Sequence, residues 1–192
     1  SSLMLSTTLI HAYGTCGLTA DAQSIFSRLS FPDVIAWSAL IASYAREGKV
    51  NSSLQAFDKM LENNIKPTSL TFLSVLLACS HGGLVDKGVK LFESMSKEYG
   101  INPELEHYVS MVDLLAHAGD FGRLECMITQ MPMQPDASFW IGLLNACQRH
   151  GNSKLSKLIF EKAACIKETH PAAYMLMFNM CAEGDKLPVV ER

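Results

Sequence analysis

The sequence predicts an all-α fold, an α-solenoid of stacked helix-turn-helix hairpins, on three observations. A largely aromatic column runs Ser6, Trp37, Phe72, Tyr108, Trp140, Tyr174; a turn-glycine column runs Gly17, Gly48, Gly83, Gly119, Gly151, Gly184; and an apolar column runs Phe26, Phe57, Phe92, Ile128, Phe160. All three keep one register at a period of 31 to 36 residues. Self-similarity at that period marks an array in which each hairpin buries its apolar face against its neighbours.

Residues 34–68 show the unit most clearly. Trp37, Leu40, Ile41 and Tyr44 fall at i, i+3, i+4, i+7, the stripe of a first amphipathic helix. Arg46-Glu47-Gly48-Lys49 forms the turn, and Val50, Leu54, Phe57 and Leu61 mark a second helix, with Asn51, Ser52 and Ser53 offering N-cap oxygens. Pro67 lacks a backbone N–H and biases Lys66 away from helical angles, so the helix does not simply continue.

In chain order the same frame gives units 3–33, 34–68, 69–104, 105–136 and 137–170, and a partial unit 171–192. They end at Pro32-Asp33, Pro67-Thr68, Pro103-Glu104, Pro135-Asp136 and, less regularly, Thr169-His170. One continuous domain without a linker is expected. Because the chain opens SSLMLSTTLI, without Met or an Arg-rich leader, it reads as a piece of a longer protein.

At 192 residues and 48% hydrophobic content the chain can bury a substantial core, and no apolar run reaches the roughly 18 residues of a membrane span. Net charge is -3, which argues against binding nucleic acid mainly by phosphate neutralisation. The charge is uneven: residues 105–136 carry one basic and five acidic side chains, and residues 137–170 carry five basic and two acidic. The basic segment is the better candidate for touching phosphate or an acidic partner, against the plainer reading of a solvated helix face.

Catalysis is not expected, and neither a cofactor nor a metal is. The six cysteines include no C-x-x-C and form no zinc-finger spacing with histidine. Cys79, Cys147 and Cys181 instead share a column with Tyr13, Tyr44 and Leu115, as small buried hydrophobes would. The six histidines occupy mostly unrelated positions, and neither a Ser/His/Asp set nor the H-x-E and P-C-x-x-C deaminase signature is present.

Tetratricopeptide repeats would keep 34 residues throughout and place Gly after the Leu of W-x2-L-G-x2-Y, where Ile41 stands. With LLACSHGGLVDKG, MVDLLAHAGD and FWIGLLNAC, and units of unequal length, the chain instead resembles the pentatricopeptide repeat family, specifically its plant PLS subclass. Residues 3–33 are similar to an S unit, 34–68 to a P unit, 69–104 to an L unit and 105–136 to a terminal S unit. Residues 137–170 resemble the first E motif, and 171–192 the start of the second.

The resemblance implies a right-handed solenoid that binds single-stranded RNA in a mitochondrion or chloroplast, one base per repeat. In the family, the fifth and last residues of a unit choose the base. Carried over, these are Thr7 with Asp33, Ser38 with Thr68, Leu73 with Glu104, Val109 with Asp136, and Ile141 with His170. Thr7 with Asp33 resembles the guanine-reading pair and Ser38 with Thr68 points to a purine, whereas Leu73, Val109 and Ile141 cannot hydrogen-bond a base. Ile35 can pack on a base face. Beside this stands the plainer reading in which Thr7 and Ser38 lie near helix starts as caps and Asp33, Thr68 and Asp136 are turn or N-cap residues.

The E-like segment implies docking of an editing deaminase and accessory editing factors through residues 137–192, in a C-to-U RNA editing factor whose chemistry lies outside this chain. Two further expectations accompany it. One is self-association through exposed solenoid ends. The other is a protein-interaction solenoid with little RNA affinity of its own, which net charge -3 favours.

Overall fold

The computed structural model describes residues 2–131, Pro135, Phe139, Trp140, residues 142–144 and Ile159. Among them lie eight helices and no strand: α1 (Ser2–Thr15), α2 (Thr19–Ser27), α3 (Val34–Arg46), α4 (Val50–Glu62), α5 (Ser69–Gly82), α6 (Val85–Lys97), α7 (Leu105–Ala118) and α8 (Phe121–Gln130). The expected E-like segments fall almost wholly outside the described residues. By packing, the chain divides into two compact units, Ser1–Leu114 and Leu115–Arg192.

In the first unit, consecutive helices pair as hairpins, α1 with α2, α3 with α4 and α5 with α6. The first helices also stack in order, α1 on α3 and α3 on α5, while α2 packs on α3 and α4 on α5. Helix α3 is therefore enclosed on four sides. Nine of its thirteen residues are buried, from Ala36 to Ile41 and from Ser43 to Ala45.

The turn glycines close their helices by one mechanism. At Gly48, with φ +70°, the Lys49 N–H reaches the Tyr44 carbonyl at 2.9 Å and the Gly48 N–H reaches Ala45 at 3.1 Å. This Schellman pattern satisfies the last carbonyls of the helix and needs a left-handed residue. Gly17, Gly83 and Gly119 repeat it, which is why the sequence shows glycine there at the repeat period.

Two details differ from the sequence-based reading. Helix α4 has Lys49 at its N-cap with no side-chain cap; Asn51, Ser52 and Ser53 lie in its first turn. The buried Ser53 hydroxyl instead donates to the Ile41 carbonyl of α3 at 3.2 Å, joining the two helices of the hairpin. Nor does Pro67 end α4. Asn64, at φ 58°, ends it by the same Schellman pattern, its N–H on Leu61 and that of Ile65 on Met60.

In the second unit, the Asp120 side chain accepts the Arg123 N–H at 3.2 Å and caps α8, which buries Leu124 and Ile128. Trp140, Leu143, Leu144 and Ile159 are also buried.

Candidate nucleic-acid interface

The second residue of three successive units is a large exposed aliphatic: Met4 on α1 at 78%, Ile35 on α3 at 61% and Leu70 on α5 at 58%. Since α1, α3 and α5 stack in order, these side chains recur once per repeat near the N-terminal ends of adjacent helices. Ile35 was singled out from sequence. Met4 and Leu70 were not, although they sit in its column.

Asp33 and Thr68 lie two residues before Ile35 and Leu70, at the N-caps of α3 and α5. The Asp33 carboxylate accepts the Ala36 N–H at 2.9 Å. The Thr68 hydroxyl accepts the Thr71 N–H at 3.4 Å, and the Thr68 N–H donates to Thr71 Oγ1 at 3.0 Å, a reciprocal capping box. Capping uses only part of each group: a carboxylate has further lone pairs, and the half-buried Asp33 and exposed Thr68 are open to solvent.

Ser38 is more enclosed than a residue reading a base from near a helix start would be expected to be. It is 3% exposed, and its Oγ lies 2.7 Å from Thr71 Oγ1, which in turn lies 3.1 Å from Thr68 Oγ1. The proposed reading pair of residues 34–68 is thus bridged by a fully buried hydroxyl of the following unit. Sequence reasoning missed Thr71 because its role depends on a contact across 33 residues. Thr7 is 9% exposed on α1. Leu73 and Val109 are half-buried, and Asp136, Ile141 and His170 lie outside the described residues.

The next unit puts a histidine in the place of Thr71. His107, 1% exposed, accepts the Glu104 N–H at Nδ1 at 3.1 Å, which leaves Nε2–H to donate to the Ser69 carbonyl at 2.9 Å. Its ring therefore holds the start of α7 against the start of α5. A second inter-repeat bond joins the far ends of the helices, where His81 Nδ1–H donates to the Ala45 carbonyl at 2.9 Å. Arg46 and His81 stand at equivalent exposed places in the last turns of α3 and α5.

Cys79 is fully buried, and burial pushes its thiol up to about 11. It is a packing residue, as its column implied; Cys147 and Cys181 lie outside the described residues. No group of three or more His, Cys, Asp or Glu side chains is placed to hold a metal among the described residues.

Comparison with known proteins adds the repeat type. The PPR repeat family matches residues 32–81, and the PPR repeat matches residues 6–30 and 70–99. The chain is 37% identical over 192 residues to the chloroplastic pentatricopeptide repeat-containing protein CRR2 of Arabidopsis thaliana, covering 100% of this chain and 29% of that protein. It is 40% identical over 178 residues to a mitochondrial pentatricopeptide repeat-containing protein of the same plant, covering 93% of this chain and 32% of that protein. The chain thus spans less than a third of the length of these relatives. Among solved structures it superposes on the pentatricopeptide repeat protein PPR10 from maize with a TM-score of 0.72 at 23% identity, over 94% of this chain and 27% of that one. The PPR domain of Arabidopsis protein-only RNase P 1, solved in complex with tRNA, gives 0.79 at 12% identity over 95% of this chain and 100% of that one. Both show the fold.

Proposed function

Since the chain carries pentatricopeptide repeats through residues 6–99, we propose that it binds single-stranded RNA along the N-terminal ends of α1, α3 and α5, one base per repeat. The observation that carries this reading is the exposed row Met4, Ile35 and Leu70. Each is an apolar surface on which a base can lie, and Ile35 and Leu70 follow the unit-ending Asp33 and Thr68, which supply oxygen atoms for a base edge. Hydrophobic contact and hydrogen bonding need little net positive charge, in keeping with net charge -3. The basic residues of 137–170 supply the phosphate contacts.

Thr7 with Asp33 reads guanine, whose N1–H and N2 amino group both donate to the carboxylate. Ser38 with Thr68 reads a purine. Leu73 and Val109 offer no hydrogen bond, so their units contribute packing more than discrimination, with Asp136 a weaker contact. The repeat order S, P, L, S followed by E-like segments supports a C-to-U editing factor that recruits its deaminase and accessory proteins through residues 137–192. The chloroplastic and mitochondrial names of the relatives support an organellar location.

The test is Ile35→Ser with Leu70→Ser. Both side chains are exposed, so the melting temperature should hold while affinity for single-stranded RNA falls severalfold. Unchanged RNA affinity, with loss of a copurifying protein, would favour the protein-interaction solenoid that the same apolar row also suits.

A further inference from the structure

We infer that the groove between α2 and α4, floored by α3, is a docking site for an extended acidic peptide of a partner protein, which seats one apolar side chain in it. Phe26, Trp37 and Leu40 line the groove, and its volume is about 250 Å³. The opening follows from one small residue. Ala56 lines the groove from α4, and at the same register of α6, 35 residues on, stands the buried Leu91. There the ring of Phe72, the counterpart of Trp37, is also met by Tyr99, with centroids 5.3 Å apart.

The floor holds an unmet donor. Trp37 is 6% exposed, and its Nε1–H has no hydrogen-bond partner among the described residues. An N–H kept from water without an acceptor is costly, and Phe72 carries no such group. The atom is covered, so an acceptor meets it only as the exposed side chains of the rim shift. Those side chains suit a peptide backbone. Gln23 on α2 and Gln55 on α4 each carry an amide that donates and accepts at once, matching the N–H and C=O groups of an extended chain. Ser27 gives its proton to the Gln23 carbonyl at 2.8 Å, which leaves its oxygen as an acceptor.

Size and charge choose the occupant. Small-molecule sites enclose about 300–1,000 Å³. This groove is smaller, so it suits the anchor side chain of a longer partner, of the kind that carries most of an interface's binding energy. Among the described residues that line it, Lys59 is the one charged side chain. One ammonium fits an Asp or Glu beside the anchor, and it is too little for the row of phosphates of an RNA strand.

The experiment screens a displayed library of short random peptides against the 192-residue chain, then titrates the selected peptide into wild type and three variants. Selection should converge on an aliphatic or aromatic residue next to Asp or Glu. Ala56→Leu, which gives α4 the residue that α6 has at this register, should abolish binding. Lys59→Glu, on the exposed rim, should weaken it about tenfold. Trp37→Phe keeps a ring and deletes the N–H, and should weaken binding about fivefold, the size of one hydrogen bond. In proton–nitrogen spectra the peptide should shift the Trp37 indole resonance and leave that of Trp140, the second of the two tryptophans, in place. A library that yields no binder overturns the inference, as does a selected peptide that lacks an acidic residue or leaves the Trp37 resonance unmoved. So does an affinity that survives Lys59→Glu, a readout that holds even where Ala56→Leu fails to fold. If single-stranded RNA displaces the peptide and Lys59→Glu weakens RNA binding equally, the groove belongs to RNA and the inference falls.

Discussion

Phe26 stands edge-on to Trp37, ring centroids 4.6 Å apart and planes at 68°. The second helix of one repeat thereby meets the first helix of the next, and Phe57 with Phe72 and Phe92 with Tyr108 repeat the contact. The apolar and aromatic columns of the sequence are the two sides of one inter-repeat joint. Phe57 is 3% exposed, so Phe57→Ala should destabilise the chain by about 3–5 kcal/mol, read by denaturant unfolding. A cost below about 1 kcal/mol would mean that the joint does not hold the repeats together.

Gly14 marks a close approach of α1 to α3. A Cβ added there would lie 2.8 Å from Ser43 Cβ. Alanine is the better helix former by about 1 kcal/mol, yet Gly14→Ala should lower stability by about 1–3 kcal/mol because the helices must separate. The paired variant Gly14→Ala with Ser43→Gly should recover most of that loss.

His107 should hold its proton on Nε2, since Nδ1 accepts the Glu104 N–H. Nitrogen-15 shifts of the ring at neutral pH check this directly. His107→Leu leaves the Glu104 N–H and Ser69 carbonyl without their partner and should cost about 1–3 kcal/mol.

Much of the fold was legible in the sequence because repetition averages away local ambiguity: Gly48 alone is a weak turn signal, but Gly17, Gly48, Gly83 and Gly119 in register are a strong one. The site was less legible. Asp33, Ser38 and Thr68 could be named as polar residues near helix starts, but Thr71 and His107 looked like ordinary first-turn residues. Their partners lie 33 and 38 residues away, and only stacking brings them together. The caps of α4 misled for a related reason, since Ser53 uses its hydroxyl on a neighbouring helix rather than on its own first turn.

Cys79 should resist alkylation in the folded chain. Its thiol is buried and stays protonated at pH 8, whereas Cys16 and Cys126 are exposed. Iodoacetamide followed by peptide mass analysis should label Cys16 and Cys126 first, with Cys79 reacting only after denaturation. Equal labelling of Cys79 would show that the α5 core opens readily.

The most direct measurement is fluorescence-anisotropy binding of the chain to single-stranded RNAs that differ only in the base facing Asp33, at low and physiological salt, with wild type, Asp33→Asn and Asp33→Ala. Asparagine keeps a capping oxygen for the Ala36 N–H, while alanine should cost about 1 kcal/mol of stability. The account predicts a guanine preference that survives salt and is lost in Asp33→Asn at unchanged stability. Binding that is equal for all four bases and vanishes with salt would contradict it, leaving Asp33 a helix cap and the chain a protein-docking solenoid.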